Sequence, residues 1–196
     1  MMKSPLLGAV AFLLLGVLAL PMTTVASEVD ASRASTATTS WIYPDIKGFG
    51  KVHPRPDVAV QPDPKADYKV IVDVVHGSDD PNKVYRSLQR LARTVNLLAF
   101  AKVPPNHVHI VAVLDGEALY AAGGNALYRK HFKVDNPNLA ILHALKQSGV
   151  DLLVCSQAMA EMGLKDSDVG PDITVSLSAL SDLVVYGQRG YSYMQL

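Results

Sequence analysis

The run Tyr68 to Val75, YKVIVDVV, constrains this chain more than any other stretch. Its residues are β-branched and apolar on both faces of an extended segment, so it suits a strand buried inside a parallel sheet rather than one with a wet side. His76-Gly77-Ser78 ends the run. Asp80 and Pro81 then open a helix whose Val84, Leu88, Leu91, Val95 and Leu98 keep a core stripe to about Ala101. Pro104 and Pro105 stop that helix, and His109 to Leu114 supplies a second strand.

The same rhythm continues. Asp115 to His131 is less regular, with a short helix through Glu117 to Ala121 and a second turn through Leu127 and Tyr128 around the Gly123-Gly124 pair. Asn136-Pro137-Asn138 starts a helix through Leu139, Leu142 and Leu145 that Gly149 closes. Asp151 to Val154 is a strand and Ser156 to Gly163 a helix. After a polar connection over Lys165 to Pro171, Ile173 to Val175 forms a short strand, Ser176 to Gln188 a helix and Tyr191 to Leu196 the last strand. Strands and helices alternating in this way imply an α/β fold, a three-layer α/β/α domain with a mostly parallel sheet and flavodoxin-like architecture. Strand order is not legible from the pattern.

The segment Asp151 to Gly163, DLLVCSQAMAEMG, places Cys155 where a buried strand hands over to a helix. Ser156 is expected to be the helix N-cap, which puts Cys155 ahead of free N–H groups that stabilise a thiolate. Open α/β sheets also place their sites outside the carboxyl ends of the strands. Cys155 is therefore the candidate reactive residue, accessible at that edge. Against this stands the burial habit of free cysteine, which often behaves as a small hydrophobe. If strands end at His76, Leu114 and Val154, then His76, Asp115 and Gly116 share the edge with Cys155, and His76 becomes a candidate partner for the thiolate. Tyr128, His131, Asn136 and Asn138 follow in the next loop and are expected to rim the pocket.

Cys155, Ala158 and Gly163 form a Cys-x-x-Ala-x-x-x-x-Gly pattern after an apolar strand. The pattern resembles the cysteine segment of the DsrE/DsrF-like sulfur-relay family, which includes the TusD-type persulfide carriers. The Asn136 to Leu139 helix start and the closing LSAL helix with its Gly-Tyr strand resemble the exported branch of that family. The resemblance covers about Tyr68 to Leu196. It implies a five-stranded sheet of DsrE type, a cysteine that carries persulfide sulfur or responds to sulfur species, sulfur donor or acceptor partners, and assembly as a trimer or hexamer. Glu161 and Met162 stand where TusD-type members commonly carry basic residues. The alternative is a non-catalytic α/β binding or assembly module in which Cys155 is buried and structural.

Composition narrows the remaining classes. Lys and Arg total 18 against 18 Asp and Glu, so no field of one sign draws nucleic acid or anionic lipid. Cys155 is the single cysteine, which rules out an intramolecular disulfide. Gly123-Gly124-Asn125 fits neither a dinucleotide fingerprint nor a phosphate-binding loop, and no Cys-x-x-Cys or Gly-x-Ser-x-Gly occurs, so no cofactor is expected. His107-x-His109 puts two imidazoles on one strand face but lacks a third ligand of fitting spacing, so no metal is expected either.

Lys3, the apolar run Leu6 to Leu20, Pro21 and Thr24-Val25-Ala26 have the order of a secretory signal peptide over residues 1–26, cleaved near Ala26. The run falls short of the roughly 20 residues that span a bilayer, so the mature chain is expected to be exported with no stable membrane insertion, and the resemblance to the exported branch implies the periplasm. Residues 27–67 then precede the domain at 68–196. Their first part, to Thr39, is rich in Ser, Thr and Ala. Trp41 to Pro64 is Pro-rich but carries Trp41, Ile42, Tyr43, Ile46, Phe49 and Val52, too apolar for a solvated spacer, and is expected to dock on the domain or on a neighbouring subunit.

Overall fold

The computed structural model describes residues 40–196. The leader read over residues 1–26 and the stretch from Ser27 to Thr39 lie outside the described residues. Five strands form the centre: β1 (Tyr68–Val74), β2 (Val108–Leu114), β3 (Asp151–Cys155), β4 (Thr174–Ser176) and β5 (Ser192–Gln195). All neighbours are parallel, in the order β4-β3-β2-β1-β5. The helices are α1 (Arg86–Phe100), α2 (Asn125–Phe132), α3 (Leu139–Gln147), α4 (Ser156–Glu161) and α5 (Ala179–Gln188), with a 3-10 segment at Gly116–Ala122. The expected α/β sheet is thus present, with five strands.

The strand side chains divide the core by parity. Val72, Val74, Ile110, Ala112, Leu114, Leu152 and Val154 face one large cluster with Leu88 and Leu91 of α1, Tyr128 of α2, Leu142 of α3 and Met159 of α4. Each fully buried leucine in it is worth about 2 kcal/mol of transfer free energy. Ile71, Val111, Val113 and Cys155 face the other way, onto Ala179 of α5. Chain direction explains the split. The steps from β1 to β4 move one way across the sheet, and right-handed crossovers put their helices on one face; the step from β4 back past three strands to β5 reverses direction and puts α5 on the opposite face. The two faces are unequally covered: Ala179 is the only buried residue of α5, whereas Leu180 is 77% exposed.

Helix α1 begins later than the sequence pattern predicts. Asp80 closes a local turn by accepting from the Asn82 N–H (3.0 Å), the side-chain option that competes with helix. The Tyr85 N–H is taken by Asn138 Oδ1 at 2.8 Å, and Tyr85 stays extended. Tertiary pairing therefore sets the helix start. Likewise α5 starts at Ala179 rather than Ser176, because the Ser178 hydroxyl accepts from the Leu180 N–H (3.2 Å).

The arm before β1 docks on its own domain. Ile42 and Val52 exchange backbone bonds of 2.9 Å, and Ile46 and Val52 are buried. Asn96, in the middle of α1 and fully buried, holds the loop between them: its Oδ1 accepts from the N–H of Asp45 (2.9 Å) and Ile46 (2.8 Å), while its Nδ2 donates to the carbonyls of Ile46, Phe49 and Gly50. Gln89 accepts from the Gly50 N–H at 2.8 Å. Gly50 has φ +61°, and a Cβ there would lie 2.3 Å from the Arg93 nitrogen, so only glycine fits the approach. The domain itself thus covers Ile46 and Val52, while Trp41 stays 48% exposed.

Candidate functional site

Cys155 ends β3 in register with Ser176 of β4. These two strands send their following helices to opposite faces of the sheet, which makes their carboxyl ends the topological switch point, the usual crevice for a site in an open α/β sheet. Cys155, not Ser156, caps α4. Its Sγ accepts from the Ala158 N–H at 3.5 Å and lies 4.0 Å from the Ser178 hydroxyl at the start of α5. The Ala158 contact suits a sulfur anion, whereas toward Ser178 Oγ the thiol is placed as a donor. The Ser156 hydroxyl (2.7 Å) and the Gln157 amide (3.3 Å) donate to the Leu177 carbonyl and tie the start of α4 to the segment that leads into α5.

The thiol is not accessible as expected. Cys155 is 3% exposed and packs among Ile71, Val111, Val113 and Ala179, because strand parity turns its side chain beneath α5. No hydrogen bond joins His76 to the thiol. His76 is exposed and lines a cleft of about 1160 Å³ on the other side of the sheet, together with Asp115, Gly116 and His131. Arg86 and Arg90 of α1, Glu117 and Tyr120 of the 3-10 segment, and Ala158, Glu161 and Met162 of α4 complete its walls. Cys155 does not line it.

Tyr128, Asn136 and Asn138 do not rim the cleft either; they are buried behind it. Asn136 donates to the carbonyls of Ala121 (2.9 Å) and Gly123 (2.6 Å), and its Oδ1 accepts from both the backbone and side-chain N–H of Asn138. Tyr128 donates to the Pro81 carbonyl at 3.2 Å. These groups satisfy loop backbone that would otherwise be buried without partners, so their role is to shape the cleft wall. Burial, with the Tyr128 hydroxyl adding to it, pushes the neighbouring Tyr85 phenol far above its ordinary value.

Two polar features escaped the sequence reading. Asp73 of β1 is 8% exposed, accepts from the Tyr193 hydroxyl at 3.1 Å through one oxygen and leaves the other unpartnered. Burial raises its carboxyl above the ordinary range; the Tyr193 bond lowers it in part, and Asp115 adds to the rise. Ser178, which the sequence pattern puts inside a helix from Ser176, is instead the N-cap of α5 and a neighbour of Cys155. His107 sits at the amino end of β2, away from the cleft, with Nδ1 3.5 Å from Asp67. Among the described residues no group of three His, Cys, Asp or Glu is placed to hold a metal ion.

No curated protein matches the chain significantly. Among solved structures, the protein of unknown function MTH1491 from Methanobacterium thermoautotrophicum is similar in fold, with a TM-score of 0.51 and 20% identity, over 66% of this chain and 100% of that one. The DsrE/DsrF-like family matches residues 69–196, from the second residue of β1 to the end of the described sheet. Apart from Tyr68, the sheet, the helices around it and Cys155 fall inside that match, and the chain belongs to the DsrE/DsrF-like family.

Proposed function

We propose that this protein serves sulfur relay with Cys155 as the sulfur-carrying atom. The observation that carries the reading is the placement of Cys155 at the β3/β4 switch point with its Sγ held by the Ala158 N–H and beside the Ser178 hydroxyl. The Cys155 thiolate attacks the outer sulfur of a donor persulfide; a new S–S bond forms at Cys155, the donor S–S bond breaks, and the donor leaves as a thiolate, with no net oxidation. An acceptor thiolate reverses the step. Because the thiol is buried, exchange requires the Leu177–Ser178 segment to lift away from α4. The setting proposed is the periplasm, on the leader pattern of residues 1–26. Self-association as a trimer or hexamer fits the exposed apolar side chains of α5 and its approach, Leu177, Leu180 and Val184.

A second reading is favoured by one observation. Cys155 sits in an apolar cluster, as a purely structural cysteine would, in a binding or assembly module. One experiment separates the two. The protein is incubated with a low-molecular-weight persulfide and its intact mass is measured with and without reductant. Gain of one sulfur atom, lost on reduction and absent in Cys155→Ser, supports the relay; an unchanged mass supports the structural cysteine.

A further inference from the structure

The cleft beside α1 carries an electrostatic arrangement that the cysteine reading does not use. Arg86 and Arg90 stand one turn apart on α1 in its wall, and neither forms an ion pair among the described residues. Like charges at this spacing repel, and cations in the opening turns of a helix oppose its dipole. The first turn holds no acidic residue, and no side chain caps it. The Ser87 hydroxyl is turned away to the His76 carbonyl (3.0 Å), and Lys83 is already paired with Asp80 (3.0 Å). Two exposed arginines without an ion-pair partner among the described residues thus stand at the uncapped amino end of α1 in the cleft wall, an arrangement suited to a single anionic group.

The remaining walls limit that anion. Tyr120 stacks on His131 with centroids 4.0 Å apart and planes inclined by 22°, and Phe132 meets Tyr120 edge-on, so an aromatic and apolar surface lies in the same cleft as the arginines. Asp115 and Glu117 also face the cleft, with their carboxylates partly engaged by the N–H groups of Gly116 (2.8 Å) and Gly77 (3.5 Å), and Asp79 and Glu161 add two further acids. Four carboxylates around the same space disfavour a doubly charged ligand. We propose that the cleft binds a small organic monocarboxylate, its carboxylate on Arg86 and Arg90 and its planar apolar body against the Tyr120–His131 stack and Phe132. Guanidinium groups match a carboxylate through paired N–H bonds, and the volume is ample for such a molecule.

The site stands independently of sulfur chemistry. Backbone amide resonances of the protein are followed by NMR at pH 7 during titration with benzoate, phenylphosphate, benzylamine and benzyl alcohol. Benzoate is expected to give saturable shifts at Gly77, Gly116 and Ala158, with the other three at least about tenfold weaker. Joint replacement Arg86→Gln and Arg90→Gln should weaken benzoate by about tenfold or more, while Arg129→Gln, at an exposed ion pair with Asp135, should not. Cys155→Ser should leave benzoate binding unchanged. Benzyl alcohol binding as well as benzoate, phenylphosphate binding more tightly, an unaffected double variant, or no saturable shift with benzoate would each overturn the proposal.

Discussion

The Ala158 N–H donates to Cys155 Sγ at 3.5 Å, and Ala158 itself lines the cleft on the opposite side of the sheet. The short helix α4 therefore touches both places where chemistry is concentrated. Its first residues are fixed to the α5 segment through the Leu177 carbonyl, and its outer flank carries Glu161 and Met162 into the cleft.

Ser178→Ala removes the N-cap of α5 and the hydroxyl 4.0 Å from the thiol. The lost cap should cost about 1 kcal/mol. Loosening of the Leu177–Ser178 cover should raise the rate of iodoacetamide labelling at Cys155 several-fold in the folded protein. Mass spectrometry of timed samples reads the rate, and an unchanged rate would show that this segment does not guard the thiol.

Asn96→Ala deletes the side chain that holds five backbone groups of the arm. Some of those groups remain buried without partners, so the expected loss is about 3 kcal/mol, well above a typical surface substitution. Urea unfolding gives the loss. Limited proteolysis should at the same time cut between Tyr43 and Val52 far faster than in the unaltered protein.

Asp73→Asn addresses pH. The folded carboxyl is raised above its unfolded value, so the native state holds its proton more tightly and stability falls as pH rises through the interval between the two values. Asparagine removes the buried charge. The variant should melt higher than the unaltered protein at pH 7, and the advantage should shrink as pH drops below the ordinary carboxyl range. An advantage constant with pH would mean that Asp73 does not titrate in this way.

Leu180→Asp with Val184→Asp places two charges on the exposed apolar side of α5. Neither side chain contributes to the monomer core, so thermal stability measured on the dissociated chain should change little. Light scattering should report a lower assembly state if that helix mediates self-association; an unchanged mass would move the interface elsewhere.

Much of the sheet was legible because its strands are apolar on both faces and bounded by turn residues. Tyr68–Val74 and Val108–Leu114 fall close to where the pattern puts them. The site was less so. Strand order is set by the return of the chain to β5, an event with no local signature, and that order decides that α5 lies over Cys155. Asn136 and Asn138 read as pocket residues because they belong to the loop that follows a strand's carboxyl end, yet their amides serve the backbone of Ala121, Gly123 and Tyr85. Arg86 and Arg90 stand four residues apart in the sequence, but only the folded cleft reveals that neither has an ion-pair partner among the described residues.

The docking of Trp41–Val52 on α1 has a consequence of a different kind. The segment meets the domain as a short peptide meets a receptor: a buried side-chain amide reads its carbonyls and N–H groups, and Ile46 and Val52 fill apolar sites. Being tethered, it acts at an effective concentration of about millimolar or above, so even a weak intrinsic affinity keeps the groove filled. A chain lacking the segment would offer Asn96 and Gln89 unoccupied, and a synthetic peptide of the same sequence should seat there in trans. The helix that forms one wall of the cleft thus doubles, on its other side, as a peptide receptor already holding its ligand.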